Sequence, residues 1–366
     1  MRLFASFLPH FFISAMVLLC RTSAFQISRA IRAMKGPQGG RPSPWKMQSS
    51  TTDKYRQDPP KPRKFAIRPD KALDIATASA GLVFRLGSGA LVNGYRVSFE
   101  KADTDTPKDA PQTRAPSGLD EDEYTFVTVA GRKTVETNRL GKRPAVPLEL
   151  YEFEGCPFCR KVREAVSILD LDVLFYPCPK DGKVYRPRLV ARAGKSQFPY
   201  LVDPNEKLEM YESDDIIQYL FDTYSDGKVP LFLRLGPFTT ITCGLGLAPR
   251  LGKGSRYIPS KSPREPLILW GYEGSPFVKI VREVLSSREL PHLMKFCARG
   301  SPKRSALLKK TGTFQVPYLE DPNTGVKMFE SAEIVNYLND EYGVSSDEQQ
   351  PVGTSSMTTT TSADDR

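Results

Sequence analysis

Two cysteines separated by two residues are the side chains of this sequence best suited to chemistry. Cys156 and Cys159 form Cys-Pro-Phe-Cys between a short alternating apolar run and a helical pattern. A thiol at the start of a helix faces free backbone N–H groups and the positive end of the helix dipole. Thiols in Cys-x-x-Cys motifs have pKa values lowered to roughly 3.5–7.5, and Arg160, Lys161 and Arg163 add positive charge in the first two turns. The spacing therefore predicts Cys156 as the nucleophile and Cys159 as the resolving thiol, which expels a bound partner by forming an intramolecular disulfide.

Two other interpretations of the pair are weaker. A zinc site needs about four ligands, whereas the only histidine beyond the leader is His292, far along the chain. A structural disulfide is the other alternative, but a disulfide at a helix start is typically labile.

The dithiol belongs to one of two related segments. Residues 148–164 align with residues 267–283, and the second copy replaces both thiols, with Ser275 opposite Cys156. Each copy is about 75–80 residues long, which is a normal domain size. Two copies that keep a scaffold while one exchanges its thiols are expected to share a ligand and to differ in chemistry.

The apolar spacing predicts the same elements in both copies, a βαβ unit followed by a ββα unit. In the first copy the strands are predicted at 148–153, 173–176, 200–202 and 208–211, and the helices are predicted to begin at Pro157, Tyr185 and Ser213. Pro157 suits the first turn of a helix, where its missing N–H leaves no hydrogen bond unmade. The predicted fold class is therefore α/β.

Two further features recur at the same place in both copies. Phe198-Pro199 and Val316-Pro317 precede the third strand, and we expect cis peptide bonds there, although an ordinary strand-initiating proline is the alternative. Glu212-Ser213 and Glu330-Ser331 begin the last helix. Free N–H groups at the start of a helix bind a carboxylate, and the glutamate of each pair can hold an ammonium group. Each Glu-Ser pair therefore predicts a site for the zwitterionic end of a small peptide. Taken alone, the pair indicates only a helix N-cap.

These residues resemble the thioredoxin-fold, glutathione-binding domain that glutaredoxins share with the N-terminal halves of glutathione transferases. Cys-Pro-Phe-Cys is similar to the dithiol glutaredoxin site and to that of the membrane-associated prostaglandin E synthase type 2. Gly-Ser-Pro-Phe-Val-Lys at 274–279 is similar to serine-type plant glutathione transferases, whose serine hydroxyl stabilises the glutathione thiolate. The whole arrangement resembles plastid proteins of plants and algae with two such domains in tandem. This implies two thioredoxin-like domains without the all-helical domain that completes a glutathione transferase.

The resemblance also implies glutathione as the cofactor and assigns its contacts. The glutamine before each X-Pro pair contacts the glutathione backbone, the residue before the proline pairs with its cysteine part, and the Glu-Ser pair holds its γ-glutamyl end. The implied glutathione-binding residues are Gln197, Phe198, Pro199, Glu212 and Ser213 in the first copy and Gln315, Val316, Pro317, Glu330 and Ser331 in the second. The implied catalytic residues are Cys156, Cys159 and Ser275.

Three functions follow, of which the first is favoured. It is a glutathione-linked thiol–disulfide oxidoreductase that acts on protein thiols or disulfides through the first copy, while the second copy binds glutathione or a partner without redox turnover. The second is a transferase or isomerase that uses bound glutathione and a hydrophobic pocket lined by Val229–Ala248. The third is an adaptor without activity at a plastid membrane.

Charge and composition define the rest of the chain. The net charge is +10, but residues 1–52 carry seven Lys or Arg and no acid, so residues 53–366 carry only +3. Nucleic acid binding is therefore not expected. An apolar run ending in Thr22-Ser23-Ala24, followed by a basic stretch, indicates a signal peptide and then a transit peptide, which resembles the plastid presequence of algae with secondary plastids. A plain secretory signal or a short membrane anchor is the alternative.

These features predict seven regions. They are a signal peptide (1–24), a transit peptide and linker (25–70), an apolar region with a hairpin (71–145), the first domain (146–227), an apolar connector (228–264), the second domain (265–344) and a disordered tail (345–366). The uncharged part of the connector, 235–248, is shorter than the 18 or more residues of a membrane span. We therefore expect both apolar regions to pack on the module that follows each of them, and membrane insertion is the less favoured interpretation.

Overall fold

A buried strand, a tight turn and an amphipathic helix begin each module. The computed structural model of the chain describes residues 48–63, 68–101, 128–129 and 132–344. In the first module Leu148 and Leu150 enter the core from the strand, and Pro157 is the first residue of the helix. The apolar stripe of that helix, which includes Val162 and Val166, lies on the sheet.

Both modules have the predicted order of elements. The first comprises β4 (Leu148–Glu152), α3 (Pro157–Ile168), β5 (Asp172–Pro177), α4 (Tyr185–Ala193), β6 (Tyr200–Asp203), β7 (Leu208–Met210) and α5 (Ser213–Tyr224). The second comprises β8 (Leu267–Gly271), α8 (Pro276–Ser287), β9 (His292–Phe296), α9 (Lys303–Thr311), β10 (Tyr318–Glu320), β11 (Lys327–Phe329) and α10 (Ser331–Tyr342). The α/β prediction and the thioredoxin-like arrangement are confirmed.

The two modules share one eight-stranded sheet, which the sequence does not predict. Its order is β11-β10-β8-β9-β5-β4-β6-β7, and β5 joins β9 in antiparallel register, with Phe175 opposite His292. Helices α3, α5, α8 and α10 contribute to one hydrophobic core cluster that runs through both modules. The modules therefore have a common interior.

Two apolar helices, one before each module, pack on the module that we did not expect. Helix α2 (Ala72–Phe84) packs on α8 of the second module, and α7 (Pro237–Leu247), which follows the short α6 (Leu231–Arg234), packs on α3 of the first. The prediction that each packs on the module that follows it was wrong. At the crossing of the two helices a Cβ on Gly246 would lie 2.8 Å from the Gly81 Cα, so the contact needs glycine there.

Each of these helices is followed within three residues by Arg-Leu-Gly, and the arginine side chain reaches the module on which the helix does not pack. Arg85 binds Glu164 and the Thr242 hydroxyl, both at 2.8 Å. Arg250 binds Glu283 at 2.6 Å and also contacts the hydroxyl of Thr77. The sequence Arg-Leu-Gly also occurs at 234–236, but Arg250, and not Arg234, makes the contacts that correspond to those of Arg85.

A small antiparallel sheet stands apart from the large one. Strands β1 (Arg96–Lys101), β2 (Thr128–Val129) and β3 (Arg132–Thr137) pair in the order β1-β3-β2. The predicted hairpin is the β2–β3 pair, in which Val129 lies opposite Arg132, whereas the sequence does not predict β1.

The chain before the first apolar helix also departs from expectation. The composition of residues 25–70 predicts a transit peptide and linker, but α1 (Gln48–Gln57) packs on the second module, because Tyr55 is buried against the ring of Tyr337. The predicted signal peptide, most of the predicted transit peptide, residues 102–127 and the predicted tail lie outside the described residues. Among the described helices, none is both long and apolar enough to span a bilayer.

Candidate functional site

Cys156 occupies the N-cap of α3, as the sequence predicts. Its backbone is extended and its Sγ accepts a hydrogen bond from the Cys159 N–H at 3.2 Å. Cys156 retains 4% exposure and Cys159 none, so Cys156 is the thiol that a substrate reaches. The two are free thiols.

The environment moves the pKa values of the two thiols apart. Burial raises the pKa of Cys156, but hydrogen bonds from the Cys159 thiol and backbone, together with the positive charge of Arg163, bring it below the ordinary value. Burial and the neighbouring Cys156 raise the pKa of Cys159 well above that value. Arg160 and Lys161 do not act as the free charges we expected, since Arg160 binds Glu164 and Lys161 binds Asp214.

The turn that follows α7 lies against the residue before Cys156. Ser255 lies against Gly155, where a Cβ would come within 1.8 Å of the serine Oγ, and its carbonyl accepts from the Lys180 N–H at 2.7 Å. In the second module Ala90 lies in the same way against Gly274, where a Cβ would come within 2.9 Å of the alanine Cβ. In each module the glycine before the N-cap residue thus leaves space for the turn that precedes the other module.

The remaining predicted residues of the first module surround its X-Pro bond. Phe198–Pro199 is cis, as predicted, and the Gln197 Nε2 donates to Glu212 at 2.6 Å. Ser213 is the first residue of α5 and not its N-cap, because Glu212 takes the N-cap position at a φ of 64°. A non-glycine residue in that region of φ is strained by about 1–3 kcal/mol, and such residues cluster at functional sites. We call Cys156, Gln197, Phe198, Pro199 and Glu212 the first site.

The second module repeats this geometry without a thiol. Ser275 is the N-cap of α8, and its Oγ accepts from the Val278 N–H at 3.4 Å. Val316–Pro317 is cis, as predicted, and Glu330 is the N-cap of α10 at a φ of 71°. We call Ser275, Gln315, Val316, Pro317 and Glu330 the second site.

A pocket of about 530 Å³ opens at the second site. All six residues predicted for this module line it, namely Ser275, Gln315, Val316, Pro317, Glu330 and Ser331. Tyr272, Arg304 and Phe314 also line it and were not predicted. Arg304 could have been found, because it aligns with Arg186 of the first module, and both arginines lie near the start of the second helix of their module.

Comparison with protein families places both modules in one class. The family described as "Glutathione S-transferase, N-terminal domain" matches residues 150–228 and again residues 269–349. The chain carries two glutathione S-transferase N-terminal domains in tandem. Within the described residues no all-helical domain follows either of them. Comparisons with curated proteins and with solved structures found no match.

The two glutathione S-transferase N-terminal domains differ in how their sites are filled. In the first, the Phe198 ring lies edge-on to Phe153 at 5.9 Å, and the Arg186 guanidinium lies 4.7 Å above Phe198. In the second, Val316 replaces this ring and Arg304 lies instead over Phe314 at 4.9 Å. The smaller side chain leaves room beside Ser275.

A buried ionic cluster connects the two domains beneath their capping residues. Its centre is formed by three carboxylates and three cations, Glu152, Glu154, Glu273, Arg163, Lys279 and Arg282, and at its edge Arg160 lies 3.8 Å from Glu273. Arg163 of the first domain binds Glu273 of the second at 3.0 Å, and Lys279 of the second binds Glu154 of the first at 2.9 Å. The balanced charges offset the loss of hydration. The cation that lowers the pKa of Cys156 is thus held by a carboxylate of the other domain.

Proposed function

We propose that the chain is a glutathione-linked thiol–disulfide oxidoreductase that works through Cys156 of its first domain. The observation that carries the proposal is the pair of thiols whose pKa values are moved in opposite directions at the N-cap of α3. Such a pair supplies a thiolate for attack and a protonated neighbour. Glutathione is supported by the two glutathione S-transferase N-terminal domains.

The proposed reaction transfers two electrons from glutathione to a disulfide. The Cys156 thiolate attacks the glutathione sulfur of a protein–glutathione mixed disulfide, that S–S bond breaks, and the protein thiolate leaves and takes a proton. A bond now joins Cys156 to glutathione. A second glutathione thiolate then attacks the bound glutathione sulfur, which releases oxidised glutathione and regenerates the Cys156 thiolate.

Cys159 offers a second route from the same intermediate. Its thiol loses a proton and attacks Cys156, so that reduced glutathione leaves and a Cys156–Cys159 disulfide remains, which two further glutathione molecules reduce. Because burial keeps Cys159 protonated, we propose that the route through a second glutathione dominates.

The test is glutathione-dependent reduction of a small mixed disulfide by the full chain and two variants. Cys156→Ser is expected to abolish turnover, while the matched variant Cys159→Ser retains it, since only Cys156 forms the intermediate. Turnover that survives in Cys156→Ser would refute the proposed nucleophile. No turnover in any form, together with an ordinary pKa for Cys156, would leave an adaptor without activity.

The pocket beside Ser275 supports a second candidate, glutathione transferase activity in the second domain. Besides the residues of the second site, Ile75 and Leu82 of α2 line it, so an apolar acceptor could lie next to a glutathione thiolate held by the Ser275 hydroxyl. The apolar wall comes from α2 and not from Val229–Ala248, the segment that the sequence suggests. Conjugation of glutathione to 1-chloro-2,4-dinitrobenzene, with release of chloride, is expected to be lost in Ser275→Ala and kept in Cys156→Ser.

We also propose a plastid location, on the composition of residues 1–52, which carry seven Lys or Arg and no acid. A fluorescent protein fused behind these residues is expected to enter the plastid of an alga with secondary plastids, and secretion of the fusion would contradict the proposal. The protein substrates would then be plastid thiols and disulfides.

A further inference from the structure

The chain itself contacts the second site through the backbone of Arg63. The Arg63 N–H donates to the Glu330 carboxylate at 2.9 Å, and the Arg63 carbonyl accepts from the Gln315 side-chain amide at 2.7 Å. Both contacts are made by main-chain atoms of one residue. Glu330 and Gln315 therefore bind the segment by its backbone, while the Arg63 guanidinium lies 3.6 Å from the Glu333 carboxylate.

Further contacts fix this segment in place. The Pro60 carbonyl accepts from the Phe329 N–H of β11 at 3.4 Å. Upstream, the Tyr55 ring is buried edge-on against Tyr337 at 5.5 Å, and Arg56 donates to the Thr324 carbonyl at 2.7 Å. Helix α1 thus anchors the segment on the domain that contains the second site.

The sequence of the segment suits such a role. Residues 59–63 read Pro-Pro-Lys-Pro-Arg, and three prolines in five residues favour an extended backbone before any contact forms. Little conformational entropy is then lost when the segment binds.

In the first site the same glutamine and acid contact each other, and no segment among the described residues lies between them. There Gln197 donates directly to Glu212 at 2.6 Å, whereas the equivalent Gln315 and Glu330 are bridged by Arg63. The two sites therefore present the same recognition groups, and in the second site a piece of the chain engages them.

We propose that Pro60–Arg63 is an intramolecular peptide ligand of the second site and competes there with the γ-glutamyl end of glutathione. The proposal rests on the glutathione binding assigned to the second domain under the proposed function. The segment engages the Gln315 and Glu330 end, while the pocket beside Ser275 and Val316 stays open. Glutathione can fill the whole site only after the segment leaves, so its apparent affinity is reduced by the fraction of molecules in which the segment is bound.

Hydrogen exchange followed by mass spectrometry tests the competition on the full chain. Because Pro59, Pro60 and Pro62 carry no amide hydrogen, a peptide that covers 58–63 reports on the amides of Lys61 and Arg63 alone. Saturating reduced glutathione is expected to speed exchange at Arg63 severalfold while it slows exchange in the peptide 313–317. Gln315→Ala is expected to speed exchange at Arg63 without glutathione, whereas its first-site match Gln197→Ala leaves it unchanged.

Two anchor variants give a second measurement. Tyr55→Ala and the exposed Arg56→Ala both loosen α1, and each is expected to tighten glutathione binding at the second site by about tenfold, measured as protection of 313–317 during a titration. Protection of 313–317 with no change at Arg63, or unchanged affinity in both variants, would overturn the proposal. It is also overturned if glutathione protects 313–317 in no form. Cys156-dependent turnover in the same samples then shows whether the proposed oxidoreductase stands without it.

Discussion

His292 makes the stability of the chain depend on pH in a way that can be calculated. Its ring is fully buried where the two domains join, stacked on Phe175 at 5.3 Å. Its Nδ1 lies 3.0 Å from the Leu290 carbonyl, and within the described residues its Nε2 has no partner. Burial, with the nearby Arg282, lowers the pKa of His292 from 6.5 to about 3.

The sign and size of the effect follow from this difference. As the pH falls below about 6.5 the unfolded chain takes up a proton that the folded chain does not, so the free energy of unfolding decreases until the pH reaches about 3. The loss approaches about 1.4 kcal/mol for each pH unit. Between about pH 8 and pH 5 it sums to about 2 kcal/mol.

The perturbation is His292→Phe, with His292→Gln as a second variant that does not titrate. Urea unfolding at about pH 8 and pH 5, followed by circular dichroism, measures the free energy of unfolding of each protein. When the pH falls from about 8 to about 5, the free energy of unfolding of each variant is expected to rise by about 2 kcal/mol relative to that of the wild type. Burial raises the pKa of Asp170 to about 6, so the folded chain binds this proton at a higher pH than the unfolded chain and gains stability as the pH falls. This contribution is the same in the wild type and the variants, and it therefore cancels when they are compared.

A direct titration provides the refutation. The chain has only two histidines, His10 and His292, so their proton resonances can be assigned by one substitution. A His292 resonance that titrates near pH 6.5, or variants whose pH dependence equals that of the wild type, would show that the ring is not held neutral by burial.

Three further predictions concern packing, charge and reactivity. Gly246→Ala is expected to destabilise the chain by roughly 1–3 kcal/mol, because the added Cβ would lie 2.8 Å from the Gly81 Cα. Gly244→Ala in the same helix is expected to be neutral or stabilising, because its Cβ would lie 4.0 Å from Pro157. Equal effects of the two substitutions in urea unfolding would contradict this prediction. Arg163→Met leaves the three carboxylates of the buried ionic cluster with two of its cations, Lys279 and Arg282, and is expected to remove about 3–5 kcal/mol from the free energy of unfolding. Lys142→Ala at an exposed ion pair is expected to remove at most about 1 kcal/mol. A small loss for Arg163→Met would show that water reaches the cluster. Iodoacetamide at neutral pH is expected to modify Cys156 before Cys243 and Cys297, because burial raises the pKa values of the latter two to about 12. If the rate of Cys156 alkylation instead has its midpoint at the ordinary thiol pKa of about 9, the lowered pKa is contradicted.

Local patterns predicted most of the site. Cys156, the two X-Pro bonds and the start of each last helix lie within a few residues of the strands and helices that position them. Periodicity and turn chemistry therefore located them, apart from the displacement of Ser213 from the N-cap by Glu212.

Contacts between distant segments could not be predicted in the same way. The short match of Arg85-Leu-Gly with Arg234-Leu-Gly hid the longer one, in which Thr242, Gly246 and Arg250 correspond to Thr77, Gly81 and Arg85. Arg163 reads as surface charge because its partner Glu273 lies more than a hundred residues away. The prolines of 59–63 are typical of a linker, whereas the buried Tyr55 and the backbone contacts of Pro60 and Arg63 hold the segment in the structure.

The exchange of helices between the repeats has the form of an isologous dimer contained in one chain. The Arg85–Glu164 contact recurs as Arg250–Glu283, Gly81 meets its own counterpart Gly246, and strands β5 and β9, which correspond in the two modules, pair with each other. Two-fold symmetry doubles each contact of an interface in this manner. In a homodimer of identical subunits a mutation changes both active sites, whereas here the second site has a serine and an engaged peptide segment while the first keeps its thiols.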